Sequence, residues 1–248
     1  MSIETRPDSD WFNGTAGRYL LIQEQAWYDN EVFDLFGFNA LQMGCLHMDL
    51  LRNSRIPNRY LSADSVTATQ PHHISCCDDF LPFADASLDL LVLPHRLEFS
   101  ERPHQTLREV ARVMMPEGHL LISGFNPTST WGATARMNAW FCKNKTYPWN
   151  GEFIGLTRLK DWLALLGFEV MWVDKRCHIP PFEQASWHKR FTFGQTGRPL
   201  RGCVFNCCKK TCGRHDANQA KLESASTEIC AGGKATKIKY FTKHDLTI

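Results

Sequence analysis

The chain has 248 residues, 43% hydrophobic, 12% aromatic and 22% charged, with a formal net charge of +2 at neutral pH. A chain of this length buries roughly 70–75% of the surface its unfolded form exposes, enough for one large domain or two small ones. Its 16 glycines and 12 prolines exclude a collagen-like or linker-dominated protein, and the lack of a membrane-length apolar run or a secretion signal predicts a soluble, cytoplasmic protein.

The first 38 residues form a helical lead. Tyr19, Ile22, Ala26, Phe33 and Phe36 recur at mostly helical spacing among Arg18, Glu24, Asp29 and Asp34. This predicts one long or broken amphipathic helix over 15–36, stopped at Gly37. Short apolar runs at 39–44 and 59–62 read as strands, and the polar stretch 72–77 is a further strand candidate. The sequence LDLLVL at 88–93 is a near-continuous apolar run, as in a strand covered on both faces. Pro103 opens a helix in which Leu107, Val110, Ala111 and Met114 share one face. Residues 116–118, Pro-Glu-Gly, end it, and 119–124 form another buried strand. Residues 128–149 hold three tryptophans but no clear period. The helix at 157–167 has a threonine cap and a glycine stop. It is followed by a strand at 168–174 and a last one at 202–208.

From Arg198 onward, 10 Lys or Arg stand against 4 Asp or Glu, a balance of +6 against −4 for the preceding part. Residues 211–248 are rich in polar and small residues and read as a basic, loosely ordered tail. Ten cysteines without a secretion signal fit reduced thiols rather than a disulfide framework. Strands alternating with helices imply an α/β fold: a doubly wound, mostly parallel Rossmann-like sheet with helices on both faces, assigned here to residues 39–210. In such sheets ligands bind at the carboxyl ends of the strands, where the strand order reverses.

Two blocks carry a likeness: LPFADASLDLLVL at 81–93 and LREVARVMMPEGHLLIS at 107–123. Together with LKDWLALLGFEV at 159–170, they resemble the class I S-adenosylmethionine-dependent methyltransferases, nearest the methyltransferase type 11 group. The segments GRYLL at 17–21, LPHRLEF at 93–99 and SGFNP at 123–127 are similar to a little-characterised bacterial subgroup of that family. The resemblance spans roughly 40–174. It implies S-adenosylmethionine as cofactor and methyl transfer to a small-molecule acceptor. Such chemistry asks the protein mainly to position its reactants.

The resemblance also proposes site residues. The glycine-rich turn of the family falls at Leu41-Gln-Met-Gly-Cys45. It puts Met43 and Gly44 at the cofactor, although Cys45 stands where further glycines are usual; Gly44 otherwise merely ends a strand. Asp64, twenty positions on, has the spacing of a ribose-binding acid, or is a turn aspartate. Asp78 and Asp79 stand just before the Leu-Pro-Phe block, where relatives meet the adenine; otherwise they are a solvated surface pair. The strand ending at Leu93 delivers Pro94, His95 and Arg96 to the rim. His95, whose ordinary pKa is near neutrality, is the candidate acid–base group, with Glu98 to orient it. Its alternative role is to cap the next helix or pack beneath residues 131–149. Asn126-Pro127 follows the wrong strand to serve as the Asn-Pro-Pro of amino methyltransferases.

Other constellations weigh less. Cys203, Cys207, Cys208 and Cys212 with His215 lack the paired spacing of compact zinc modules, so no metal site is assigned. The basic tail has one strong aromatic pair, Tyr240-Phe241, and no nucleic-acid fold signature. Residues 128–156 read as a cap over the substrate pocket, or as ordinary packing. A non-catalytic binding protein with a degenerate cofactor turn is the alternative to an enzyme. A nicotinamide oxidoreductase is disfavoured because no Gly-x-Gly-x-x-Gly follows the first strand.

Overall fold

The computed structural model describes residues 11–45, 48–63, 73–141, 150–176 and 203–210. In chain order they form α1 (Thr15–Glu31), a 3-10 turn (Val32–Asp34), β1 (Asn39–Met43), β2 (Asn58–Ala63) and β3 (His73–Ser75). Then come β4 (Leu88–Pro94), α2 (Arg96–Phe99), α3 (Pro103–Val113), β5 (Met114–Gly124) and α4 (Thr130–Phe141). The last are α5 (Leu156–Leu165), β6 (Phe168–Arg176) and β7 (Cys203–Lys210). The strands make a sheet of order β3-β2-β1-β4-β5-β7-β6. The first five run parallel, and β7 lies antiparallel between β5 and β6. This is the doubly wound, mostly parallel sheet expected. Its order reverses between β1 and β4, so that boundary is where a ligand site belongs.

Alternation along β4 explains why its sequence is apolar throughout. Leu90 and Val92 join Leu20, Trp27 and Tyr28 of α1 in one core. Leu91 and Leu93 join Leu107, Val110 and Val113 of α3, and Leu159 and Leu163 of α5, in the other. Each residue of such a strand faces one of two buried layers, so polar positions drop out.

Several expectations change. The first helix ends at Glu31, and its buried face is not the one expected: Ile22, Phe33 and Phe36 are exposed, whereas Leu20, Glu24, Trp27 and Tyr28 are buried. The two large aromatic rings and the partner that Glu24 finds in His95, just beyond β4, decide the face. Residues 115–118 do not end the helix before a separate strand. They bulge within β5, whose pairing jumps from Leu88↔Met114 to Leu90↔His119. Residues 130–141 form a helix that has no period in sequence, capped by Ser129, whose Oγ accepts from the Gly132 N–H at 3.2 Å. The start of α5 is Gly155, not Thr157, which lies inside the first turn. The glycine stop holds: Gly167 has φ +78 and its N–H reaches the Ala164 carbonyl at 3.1 Å. The chain divides into two units, Met1–Thr211 and Cys212–Ile248; the sheet belongs to the first, and the second lies outside the described residues.

At the amino ends of the strands, Asp89 Oδ2 accepts the backbone N–H groups of Phe38 and Asn39 at 2.8 and 2.9 Å. Gly37 is required there, because a Cβ would stand 2.3 Å from the Asp89 Cβ. Asp89→Ala orphans both donors and is expected to cost about 1–3 kcal/mol, read by urea unfolding. A loss within error of zero would show that water replaces the carboxylate.

Candidate functional site

The turn after β1 is built by one buried side chain. Gln42 donates through Nε2 to the carbonyls of Gly44, Cys45 and Met48 at 3.1, 3.2 and 2.8 Å. Its Oε1 accepts the Leu50 N–H at 2.9 Å. An amide that binds four backbone groups fixes the loop where the related family uses successive glycines. Gly44 itself has φ +83, and the nearest atom to a Cβ built there is the Arg96 Cδ, at 3.5 Å.

Three residues of positive φ stand at the carboxyl ends of β1 and β4: Gly44, Cys45 (+52) and His95 (+49). A non-glycine residue in this region costs of order 1–2 kcal/mol, and such strain gathers at functional sites. Next to His95, Arg96 directs its Nε to both oxygens of Asp78, at 2.8 and 2.7 Å. Arg102 pairs with Asp79 at 3.7 Å. Between the 75–82 loop and α2 lies a cleft of about 630 Å³, with Cys77, Asp78, Asp79, Phe80, Arg96 and Arg102 in its walls. That volume lies in the range of small-molecule sites.

Beneath the rim is a buried ionic cluster. His95 Nε2 meets Glu24 Oε1 at 2.5 Å, and Nδ1 meets Glu98 Oε2 at 2.9 Å. Glu98 Oε1 also accepts the Phe125 N–H, and the Phe125 ring lies against the imidazole with centroids 4.1 Å apart. All three ionisable side chains are buried. Burial alone would disfavour the imidazolium. The Glu24 charge and the hydrogen bonds to Glu24 and Glu98 outweigh it and push the His95 pKa up to about 10. Burial raises the Glu98 carboxyl despite its bond to His95. The Tyr28 hydroxyl is raised by burial and by Glu24, and drawn partly back by the adjacent Ser123 hydroxyl, though without a bond of ordinary geometry.

These positions correct part of the expected site. Both His95 ring nitrogens face carboxylates, and its side chain is not among those that wall the cleft. Nor does its side chain cap α2; it packs on Phe125. Glu98 does orient it. Asp78 and Asp79 wall the cleft and Gly44 lies under the Arg96 side chain that borders it, whereas Met43 and Leu93 are fully buried and offer a ligand only their backbone. Asp64 lies outside the described residues. Cys203, Cys207 and Cys208 lie on β7, and Cys212 and His215 lie outside the described residues. Sequence reasoning missed Gln42, Glu24 and Tyr28. Their signal was a polar group on an apolar face: Gln42 inside a buried strand, and Glu24 four residues from Leu20 and three from Trp27.

The methyltransferase-domain family model matches residues 53–122. The chain is 33% identical over 155 residues to the uncharacterized protein YafS of Escherichia coli (strain K12), covering 62% of this chain and 60% of that protein. It therefore spans less than two thirds of that relative's length. Its fold is similar to a Thermotoga maritima S-adenosylmethionine-dependent methyltransferase, described as a possible histamine N-methyltransferase. There the TM-score is 0.62 and identity 18%, over 82% of this chain and 94% of that one. It is also similar to geranyl diphosphate methyltransferase, solved with geranyl diphosphate and sinefungin: TM-score 0.54, identity 11%, over 77% and 78% of the two chains. Among the described residues, no helix is long and apolar enough to cross a membrane. Residues 53–122 are thus similar to a methyltransferase domain, and the sheet order around them is that of the Rossmann-like methyltransferase fold.

Proposed function

We propose that the chain transfers a methyl group from S-adenosylmethionine to a small-molecule acceptor. The observation that carries this reading is the cleft of about 630 Å³ at the carboxyl ends of the strands, beside the β1–β4 reversal and walled by Asp78 and Arg96. The donor set fits such a cofactor. Gly44, at φ +83, lies under the Arg96 side chain, Asp78 and Asp79 accept from hydroxyl or amino groups, and Arg96 offers a cation to a carboxylate. Asp64 remains the proposed ribose acid on its spacing alone, and Met43 and Leu93 remain proposed cofactor contacts through their backbones at the ends of β1 and β4.

When bound, S-adenosylmethionine supplies a methyl group already made electrophilic by its sulfonium. The residues of this chain bind, orient and exclude water, and positioning of that kind lowers the barrier by itself. The acceptor arrives already nucleophilic or sheds its proton to a cleft carboxylate such as Asp79. Reduced thiols at Cys76 and Cys77 fit a reducing, cytoplasmic setting.

The turn held by Gln42 favours a second reading, a binding protein that keeps the fold without turnover. Calorimetric titration with S-adenosylmethionine and S-adenosylhomocysteine tests the first step of both. Saturable heat is expected with either ligand, and Asp78→Ala should weaken binding by about 1–3 kcal/mol. Absence of heat and of any thermal shift with both ligands would sink the cofactor reading.

A further inference from the structure

We propose that Glu24 is a positioning residue for the cleft: through His95 it holds the turn from β4 into α2, and with it Arg96 over Gly44. This rests on the reading that the cleft takes S-adenosylmethionine. His95 has a left-handed backbone that local preference does not supply. What holds it there is a set of contacts from three directions. Its N–H reaches the Ser123 carbonyl at 3.0 Å, Nδ1 reaches Glu98, the ring lies on Phe125, and Nε2 reaches Glu24 from a helix 71 residues earlier in the chain. The very next residue is Arg96, whose Nε spans the Asp78 carboxylate. Any relaxation of the His95 backbone therefore swings Arg96 away from Gly44 and Asp78.

With both carboxyl groups ionised, the bond to Glu24 needs a donor at Nε2, and the bond to Glu98 needs one at Nδ1. Only the imidazolium supplies both. The groups facing His95 are Glu24 from α1 and Glu98 from α2, with the Tyr28 hydroxyl and Cys45 beyond Glu24; β5 contributes the uncharged Ser123, and Phe125 follows that strand. Glu24 therefore sets the charge of His95 as well as its place. Glutamine at position 24 keeps an acceptor oxygen but not the charge, so His95 should lose its proton at a lower pH, shifted from about 10 toward its ordinary value of 6.5.

The test uses the full chain, wild type and Glu24→Gln, at pH 6 to 9. Calorimetry with S-adenosylhomocysteine reads the cleft, and the Arg96 Nε–H and His95 ring resonances are followed without ligand. Wild type should bind evenly across the range. Glu24→Gln should match it within about twofold at pH 6 and fall several-fold or more behind at pH 9, in proportion to the protonated His95 that is lost. The Arg96 signal should fade over the same interval. His95→Asn, which tolerates the left-handed region and does not titrate, should bind more weakly with no pH dependence. A wild-type His95 titrating near 6.5, a Glu24→Gln profile parallel to wild type, or a loss equal at every pH would overturn the proposal. Wild type without heat at any pH would overturn the cofactor reading instead, and the Arg96 signal would still decide whether Glu24 positions the rim.

Discussion

Raising the pH from 6 to about 10 should cost this protein roughly 3–5 kcal/mol of folding stability through His95. Its pKa is about 10 in the folded chain against an ordinary 6.5, so between those values the native state binds a proton that the unfolded state has released. Stability from this group is complete below pH 6.5 and is lost as the pH climbs through the folded value. Glu98 acts in the same direction at lower pH, because burial raises its carboxyl above the ordinary 4.5. The Tyr28 hydroxyl, raised above 10, acts likewise at the alkaline end. Urea midpoints should therefore fall steadily above pH 7, and His95→Asn should flatten the slope. Midpoints that rise or stay level from pH 7 to 10 would contradict an imidazolium in the cluster.

A loss of similar size is expected from Trp131→Ala, about 3–5 kcal/mol, as for a large aromatic removed from a packed core. Trp131 is fully buried. Its ring stacks on Phe125 at 5.2 Å, with a tilt of 20°, and meets the Trp11 edge at 6.1 Å. Phe125 in turn stacks on Phe153 at 5.0 Å and lies on His95. The substitution removes one layer of an aromatic stack that ends on the imidazole. Guanidinium unfolding measures the cost, and Trp131→Phe should recover more than half of it. A cost below 1 kcal/mol would mean that α4 collapses onto Phe125 and closes the gap.

The sheet was legible because its signal is one-dimensional. LDLLVL at 88–93 is apolar wherever both faces are covered, and the alternation of strands with Leu107–Val110 and Leu159–Leu163 stripes names the covering helices. The helix at Thr130–Phe141 was not legible, since its apolar and small residues lie around its whole circumference and give no period. Within the site, Gly44 and Asp78 could be found by position along the chain. Glu24 could not be joined to His95 that way, because nothing local relates two residues 71 positions apart. The surroundings of His95 were not legible for the same reason: Glu98 stands three residues away, whereas Glu24, whose charge raises the His95 pKa, is brought to it only by the fold.

The place of β7 bears on how the chain must be made. β6 finds its partner in β7, and β7 is also what joins it to β5. During synthesis, residues 168–176 leave the ribosome well before residues 203–210, so for that interval the β5 edge is open and β6 has nothing to pair with. Open strand edges capture one another between molecules. The nascent chain thus carries two mutually unmatched edges until its last strand is delivered. A translational pause between positions 176 and 203 would prolong the moment of greatest exposure, and any lesion that removes β7 leaves an otherwise complete five-stranded sheet with a sticky side.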